Sequence, residues 1–300
     1  MLRSAAAAGA ALVPYAELLD SLVGMTWGSL SRARTGEPGA HRSSRSGRSP
    51  EFTEYRAYRP GDDLRRLDWK LYGRTDRLFL RIADDHAALK TAIVVDASAS
   101  MRFPVEGYGK WEQACAIALG LASIAIGDGD AVGVVVTAQG GDRAIPARRR
   151  RDVLHDVAEL LHSIEVRGEV SVADTLSRVA SQPRLVVITD FLGDSERALP
   201  ALRVAAASGS EVVAVHVAAD AELNPPARTF MAADPERPTF QRAMSATTRP
   251  GYDAAFAAWR DRVAGELHAM SATYVLTSTG EPVRDAVRRI VGGNAGLAAS

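Results

Sequence analysis

The sequence predicts an α/β fold of the doubly wound kind, in which a mostly parallel sheet is covered by helices on both faces. Short continuous apolar segments carry the first half of that reading. Thr91 to Val95, Leu185 to Thr189 and Glu211 to Val217 lack the polar alternation of a half-solvated strand, as expected where both faces of the sheet are buried. Stretches of helical periodicity between them carry the second half. Val153, Leu154, Val157, Leu160 and Leu161, for example, line one helical face. Strands that alternate with helices in this way pair in parallel through crossovers.

In chain order, Met1 to Val13 is alanine-rich with a single Arg3 and lacks central leucines, so it fits a secretory leader poorly. It continues into Tyr15-Ala16-Glu17-Leu18-Leu19, an amphipathic helix. Ser31 to Pro50 holds Arg, Ser, Gly and His with few large apolar groups. Such a segment folds poorly alone, and it reads as an extended arm, either a linker or a strap for an anion or a partner. Glu51 to Lys70 is dense in aromatic, Arg and Asp residues. There Pro60-Gly61 forces a turn, and Asp62 caps a short helix anchored by Leu64, Leu67 and Trp69. Arg56, Arg65, Arg66 and Arg74 have acidic neighbours within reach, as in a salt-bridge network.

Leu78 to Ile82 and Thr91 to Val95 then read as strands, Glu112 to Ile126 as a helix, Ala131 to Thr137 as a strand and Asp152 to Ser163 as a helix. The strand Leu185 to Thr189, the helix Glu196 to Ala207 and the strand Glu211 to Val217 follow. Asn224 to Arg249 is Pro-rich and polar, an irregular insertion or a small extra sheet. Tyr252 to Met270 (helix), Ala272 to Leu276 (strand) and Pro282 to Val291 (helix) complete the pattern. The expected organisation is a helical N-terminal extension over 1–29, an arm and Arg-rich block over 30–88, the α/β domain over 89–292 and a flexible tail over 293–300.

A chain of 300 residues that is 47% hydrophobic supports one large domain, or one domain with a smaller attachment. Lys and Arg number 36, as do Asp and Glu, so a general nucleic-acid binder is not expected. Arg148 to Arg151 is the strongest local charge run, either a solvated turn or a patch for an acidic partner. Cys115 is the only cysteine. It excludes an internal disulfide and reads as a small buried hydrophobe. No run approaches the roughly 18 apolar residues of a membrane span. The expected location is the cytoplasm, with peripheral membrane contact still open. The histidines, including His86, His155 and His216, show no paired metal spacing and receive no catalytic role.

Chemistry concentrates after the strand at Ile93. Asp96-Ala97-Ser98-Ala99-Ser100 alternates oxygen-bearing side chains, which can turn several oxygens toward one hard cation such as Mg2+ or Mn2+. Asp190 ends a second strand. Ligands of doubly wound sheets gather at the carboxyl ends of strands, so Asp190 and the Asp96 loop can meet. Thr189 could add a hydroxyl, although strand packing is its simpler role, and Lys110 with Trp111 reads as a surface anchor. A rival reading assigns Asp62, Asp68 and Lys70 to a Mg2+-dependent nuclease, but Trp69 separates the last two. With no nucleophile elbow or phosphate loop, the chain is read as a non-enzyme.

These residues resemble a known pattern. Asp96, Ser98, Ser100 and Asp190 are similar to the metal-ion-dependent adhesion site of von Willebrand factor A domains, whose fold is Rossmann-type. The upstream block resembles the signature of the bacterial DUF58 family. It comprises Glu54, Tyr55, Arg56, Tyr58, Gly61, Asp62, Arg65, Asp68 and Trp69, with Arg74 beyond them. The resemblance implies a von Willebrand factor A-like domain bound to a divalent cation, acting as an adaptor or co-chaperone with a MoxR-type AAA+ ATPase on a client protein. In one place the chain departs from the pattern. Val170 stands where the family supplies a metal-binding Thr, leaving Ser171, Glu169 or water to replace the lost oxygen. A structural interaction module without a functional metal is the alternative.

Overall fold

A computed structural model of the chain describes residues 12–28, 54–58, 67, 69–82, 89–150, 152–237 and 239–297. They belong to two compact units, one of Met1–Arg34 with Ala88–Ser300 and the other of Thr35–Ala87.

Among the described residues of the larger unit, a 3-10 turn at Val13–Tyr15 leads into α1 (Ala16–Ser21). In the smaller unit, β1 (Glu54–Ala57) and β2 (Phe79–Ile82) pair antiparallel, Glu54 opposite Ile82 and Ala57 opposite Phe79. Between them lies α2 (Trp69–Thr75). Glu54, Tyr55 and Arg56 fall on β1, Tyr58 follows it, and Trp69, Lys70 and Arg74 fall on α2. Gly61, Asp62, Asp63, Leu64, Arg65 and Asp68 lie outside the described residues, and so does the expected cap at Asp62. Leu67 is buried as expected, but Trp69 is not an anchor: it is 65% exposed. Its ring meets Tyr72 edge-on at 6.3 Å, a contact along one helix face rather than with a core.

The larger unit is built on a six-stranded sheet. Its strands are β3 (Lys90–Asp96), β4 (Ala131–Thr137), β5 (Arg143–Arg148), β6 (Arg184–Thr189), β7 (Glu211–Ala218) and β10 (Thr273–Ser278), in the spatial order β10-β7-β6-β3-β4-β5. All neighbours are parallel except β5, which runs antiparallel to β4 at the edge. Counted within the sheet this is the 3-2-1-4-5-6 order of doubly wound folds, which reverses between β3 and β6. The predicted fold class is observed.

Alternate residues of each strand feed opposite cores, as period-two geometry requires. Ile93, Val95, Val186, Ile188 and Val213 face α3 (Lys110–Gly127), α4 (Val153–His162) and α9 (Val283–Leu297), together with Leu22 and Trp27 from beyond α1. Ala92, Val94, Leu185, Val187 and Val212 face α5 (Val172–Val179), α6 (Ser195–Ala207) and α8 (Arg249–Ala269). The mostly apolar α3 is buried along most of its length. Gly120 lets it approach its neighbours, since a Cβ there would stand 3.0 Å from Leu22 and 3.1 Å from Val287.

Two features depart from the sequence reading. The strand β5 is absent from it, because Pro146 and the arginines around it look like a turn. Pro is tolerated on an edge strand, and charge there discourages pairing with another sheet. The last helix extends to Leu297, past position 293 where a tail is expected. Asn224 to Arg249 contains the small extra sheet: after α7 (Asp220–Leu223), β8 (Phe230–Ala233) and β9 (Gln241–Met244) form an antiparallel hairpin. Among the described residues no helix is long and apolar enough to cross a membrane.

At the amino ends of the strands, Arg184 ties the N-terminal segment to the sheet. Fully buried, it lies near Asp130 at 3.4 Å and Glu211 at 3.3 Å. Its guanidinium also covers the Trp27 ring at 4.2 Å and donates to the Gly28 carbonyl at 3.0 Å.

Candidate functional site

The carboxyl ends of β3 and β6 lie side by side at the point where the strand order reverses, so Asp96 and Asp190 converge. Beyond Asp96 the chain enters a short 3-10 turn, Ala99–Arg102. Backbone bonds fix that loop: Ala97 N–H donates to Thr137 O at 3.0 Å and Ala99 N–H to Gly168 O at 2.9 Å. Beyond Asp190, Phe191 adopts φ +58°, an uncommon conformation for a bulky residue. It is held there because Phe191 N–H donates to Thr189 Oγ1 at 3.1 Å and Leu192 N–H to Asp190 Oδ1 at 3.0 Å.

The four principal predicted residues come together and are buried: Asp96, Ser98, Ser100 and Asp190 are each no more than 4% exposed. Asp96 Oδ1 accepts from Ser98 N–H at 2.8 Å, and the Ser98 and Ser100 hydroxyls lie 3.0 Å apart. Thr189 does more than pack the strand, since its hydroxyl donates to Asp96 Oδ2 at 2.6 Å. Ser171 is turned elsewhere. It caps α5 by accepting from Asp174 N–H at 3.2 Å, and its hydroxyl donates to Asp194 at 3.1 Å.

Lys110, read from the sequence as a surface anchor, is fully buried. Its ammonium donates to Asp190 Oδ2 at 2.7 Å and to Glu222 Oε1 at 2.8 Å. Lys110 opens α3, and α7 supplies Glu222, whose other oxygen accepts from Ala219 N–H at 2.7 Å. Local sequence gives little sign of this arrangement. One clue was available, a lone lysine opening an almost uncharged apolar helix.

Electrostatics divide the two aspartates. Burial and the neighbouring Asp190 raise Asp96 to about 6, against the hydrogen bonds from Thr189 and Ser98. Asp190 is held below the ordinary carboxylate value by Lys110, whose charge and hydrogen bond outweigh the burial. Lys110 is itself raised, because the two carboxylates outweigh its own desolvation. Glu236, at the tip of the β8–β9 hairpin, is pushed up to about 7 by burial and then by Asp190 and Asp96. Its carboxylate approaches so closely that a Cβ on Gly193 would stand 2.8 Å from it. Glu236 shares with Ser100, Glu169, Val170, Asp194 and Arg197 a pocket of about 720 Å³.

This donor set does not fit a divalent cation. Val170 presents hydrocarbon where the resemblance expects a hydroxyl. Asp96 and Ser98 border a crevice of about 10 Å³ that neither Ser100 nor Asp190 lines, while Ser100 faces the larger pocket. Magnesium needs near-octahedral oxygen coordination and usually retains several waters. A fixed ammonium already lies against Asp190.

The family model "Protein of unknown function DUF58" matches residues 54–262. Uncharacterized proteins of Mycobacterium tuberculosis and Mycobacterium bovis are 32% identical over 186 residues, 60% of this chain and 58% of theirs, so the match spans little more than half of those relatives. Among solved structures, the conserved hypothetical protein BatB from Bacteroides thetaiotaomicron is similar over 71% of this chain and 100% of its own, at 17% identity and TM-score 0.47. The SpRpn10 VWA domain is similar over 67% of this chain and 95% of its own, at 11% identity and TM-score 0.39. With well over half of its residues, the Arg-rich block and the Asp96 loop included, matched by one family model, the chain belongs to the DUF58 family.

Proposed function

We propose that the chain is a non-enzymatic adaptor that docks a partner protein at the carboxyl ends of its parallel strands, that the partner is a MoxR-type AAA+ ATPase, and that the pair acts on a client protein in the cytoplasm. The observation that carries the docking face is the pocket of about 720 Å³ there. Loops from β3, β6 and the segment before α5 converge on it with the β8–β9 hairpin tip. Exposed charges of both signs rim it, among them Arg197, Arg237 and Glu169, as suits an electrostatically selected partner. The hydroxyls beneath it bond to carboxylates and to one another. Such bonding holds loops in place and prepares no nucleophile with a base. The resemblance to the DUF58 signature supports the choice of partner.

The test is a binding titration of the purified chain against a MoxR-type ATPase from the same organism. Arg197→Glu and Glu236→Arg alter the pocket rim and should each weaken binding by about tenfold or more. Arg148→Glu, at the opposite end of the sheet beside Val132, should leave it unchanged. No binding by the wild-type chain, or equal effects from all three variants, would remove this assignment.

A further inference from the structure

We infer that the Lys110 ammonium is the resident cation of this site, and that the site neither requires nor takes Mg2+. The inference concerns the same face as the adaptor reading, but it rests on geometry alone, and its test involves no partner.

Asp190 needs a positive partner, since a carboxylate removed from water is strongly disfavoured without one. In a metal-bound site the ion would fill that role. Here Lys110 Nζ stands 2.7 Å from Asp190 and 2.8 Å from Glu222, with the lysine side chain 0% exposed. Both acceptors are fixed from elsewhere, Asp190 by Leu192 N–H and Glu222 by Ala219 N–H. The ammonium is therefore clamped between two anchored carboxylates and cannot move aside without leaving both unpaired. Asp96 is satisfied differently, by one donor on each oxygen, Ser98 N–H and the Thr189 hydroxyl.

A dication added to this arrangement would meet three obstacles. It would be repelled by an ammonium already in contact with Asp190. It would find hydrocarbon at Val170. It would have to displace donors from Asp96. Loss of the threonine oxygen and burial of a lysine charge are thus complementary, the second making the ion dispensable and the first making it poorly held.

The full chain, stripped with EDTA, is titrated with Mn2+ while free Mn2+ is followed by electron paramagnetic resonance, beside Asp96→Ala. Melting is then compared in millimolar Mg2+ and in EDTA. The wild type should bind no more Mn2+ than Asp96→Ala and should melt at the same temperature in both buffers. Lys110→Met should melt about 10 °C lower in EDTA. Val170→Thr alone restores the oxygen but keeps the ammonium, and it should remain indifferent to Mg2+. Lys110→Met combined with Val170→Thr should melt higher in Mg2+ than in EDTA, by mass action on a site now able to bind. Wild-type Mn2+ binding that Asp96→Ala abolishes would overturn the inference, as would Mg2+ dependence in Val170→Thr alone. Should the Lys110 variants fail to fold, the wild type and Val170→Thr still decide.

Discussion

Lys110 and Asp190, eighty positions apart, form an ion pair at 2.7 Å with side chains 0% and 2% exposed. Removing one member of such a pair leaves an uncompensated buried charge, whereas removing both relieves the part due to Asp190 and leaves only Glu222 without its ammonium. Lys110→Met should therefore cost about 3 kcal/mol or more, and Lys110→Met with Asp190→Asn clearly less than the two single changes summed. A double-mutant cycle by urea denaturation checks this. Additive losses would mean the two charges do not interact.

His216 supplies a pH dependence from the same neighbourhood. It sits on β7 with Nδ1 2.9 Å from the Tyr274 hydroxyl, among the rings of Phe191, Trp259 and Tyr274. Burial lowers it from the ordinary 6.5 to about 4. The unfolded chain consequently takes up a proton at higher pH than the folded one. Stability from this group is complete above about pH 6.5 and is lost as pH falls toward 4, by about 3 kcal/mol.

Asp96 acts in the opposite sense. Raised to about 6, it disfavours the folded state progressively as pH rises from about 4 to 6. Glu236, raised to about 7, acts in the same sense as Asp96, so these carboxylates offset His216 in the wild type. In His216→Gln, where their slope is no longer opposed, the melting temperature should rise as pH falls. Melting temperatures recorded between about pH 4.5 and 7 decide it. The same pH dependence in His216→Gln as in the wild type would refute the assignment.

How much of this was legible in the sequence differs residue by residue. Asp96, Ser98 and Ser100 could be read because they follow a fully apolar strand within one local motif. Asp190 could be read because a doubly wound sheet brings strand ends together. Lys110 and Glu222 could not, because their partnership is made entirely by tertiary packing, and a lone lysine is ordinarily solvated. Ser171 illustrates the converse. Its local position offers an oxygen, yet the orphan N–H groups of α5 claim that oxygen for a cap. Glu236 lies in the Pro-rich insertion, where no periodicity signals the hairpin that carries it to the site.

Two glycines should respond differently to the same change. A Cβ at Gly133 would stand 2.9 Å from Ala147 N and 3.1 Å from Ile145 O, both backbone atoms of the paired strand β5. At Gly120 the nearest atoms belong to the side chains of Leu22 and Val287, which can yield. Gly133→Ala should cost about 2 kcal/mol, in the range of core overpacking, and Gly120→Ala distinctly less. Denaturation midpoints of the two variants provide the comparison, and equal losses would contradict the close approach of β4 and β5.

Arg184 offers a last expectation, at the end of the sheet opposite the candidate site. It joins Asp130 and Glu211 to the N-terminal segment through the Trp27 ring and the Gly28 carbonyl, and Trp27 N–H is bonded in turn to Asp128 at 2.6 Å. Arg184→Met keeps much of the volume but leaves two buried carboxylates without their guanidinium, at a cost of about 3–5 kcal/mol. The segment around Trp27 would also lose its cation–π partner and the guanidinium donor to its Gly28 carbonyl. Hydrogen exchange should therefore show residues 12–28 opening in Arg184→Met more readily than α5 or α6, on the other face of the sheet. Equal protection of 12–28 in the two proteins would mean that apolar packing of Leu22 and Trp27 suffices to hold the segment.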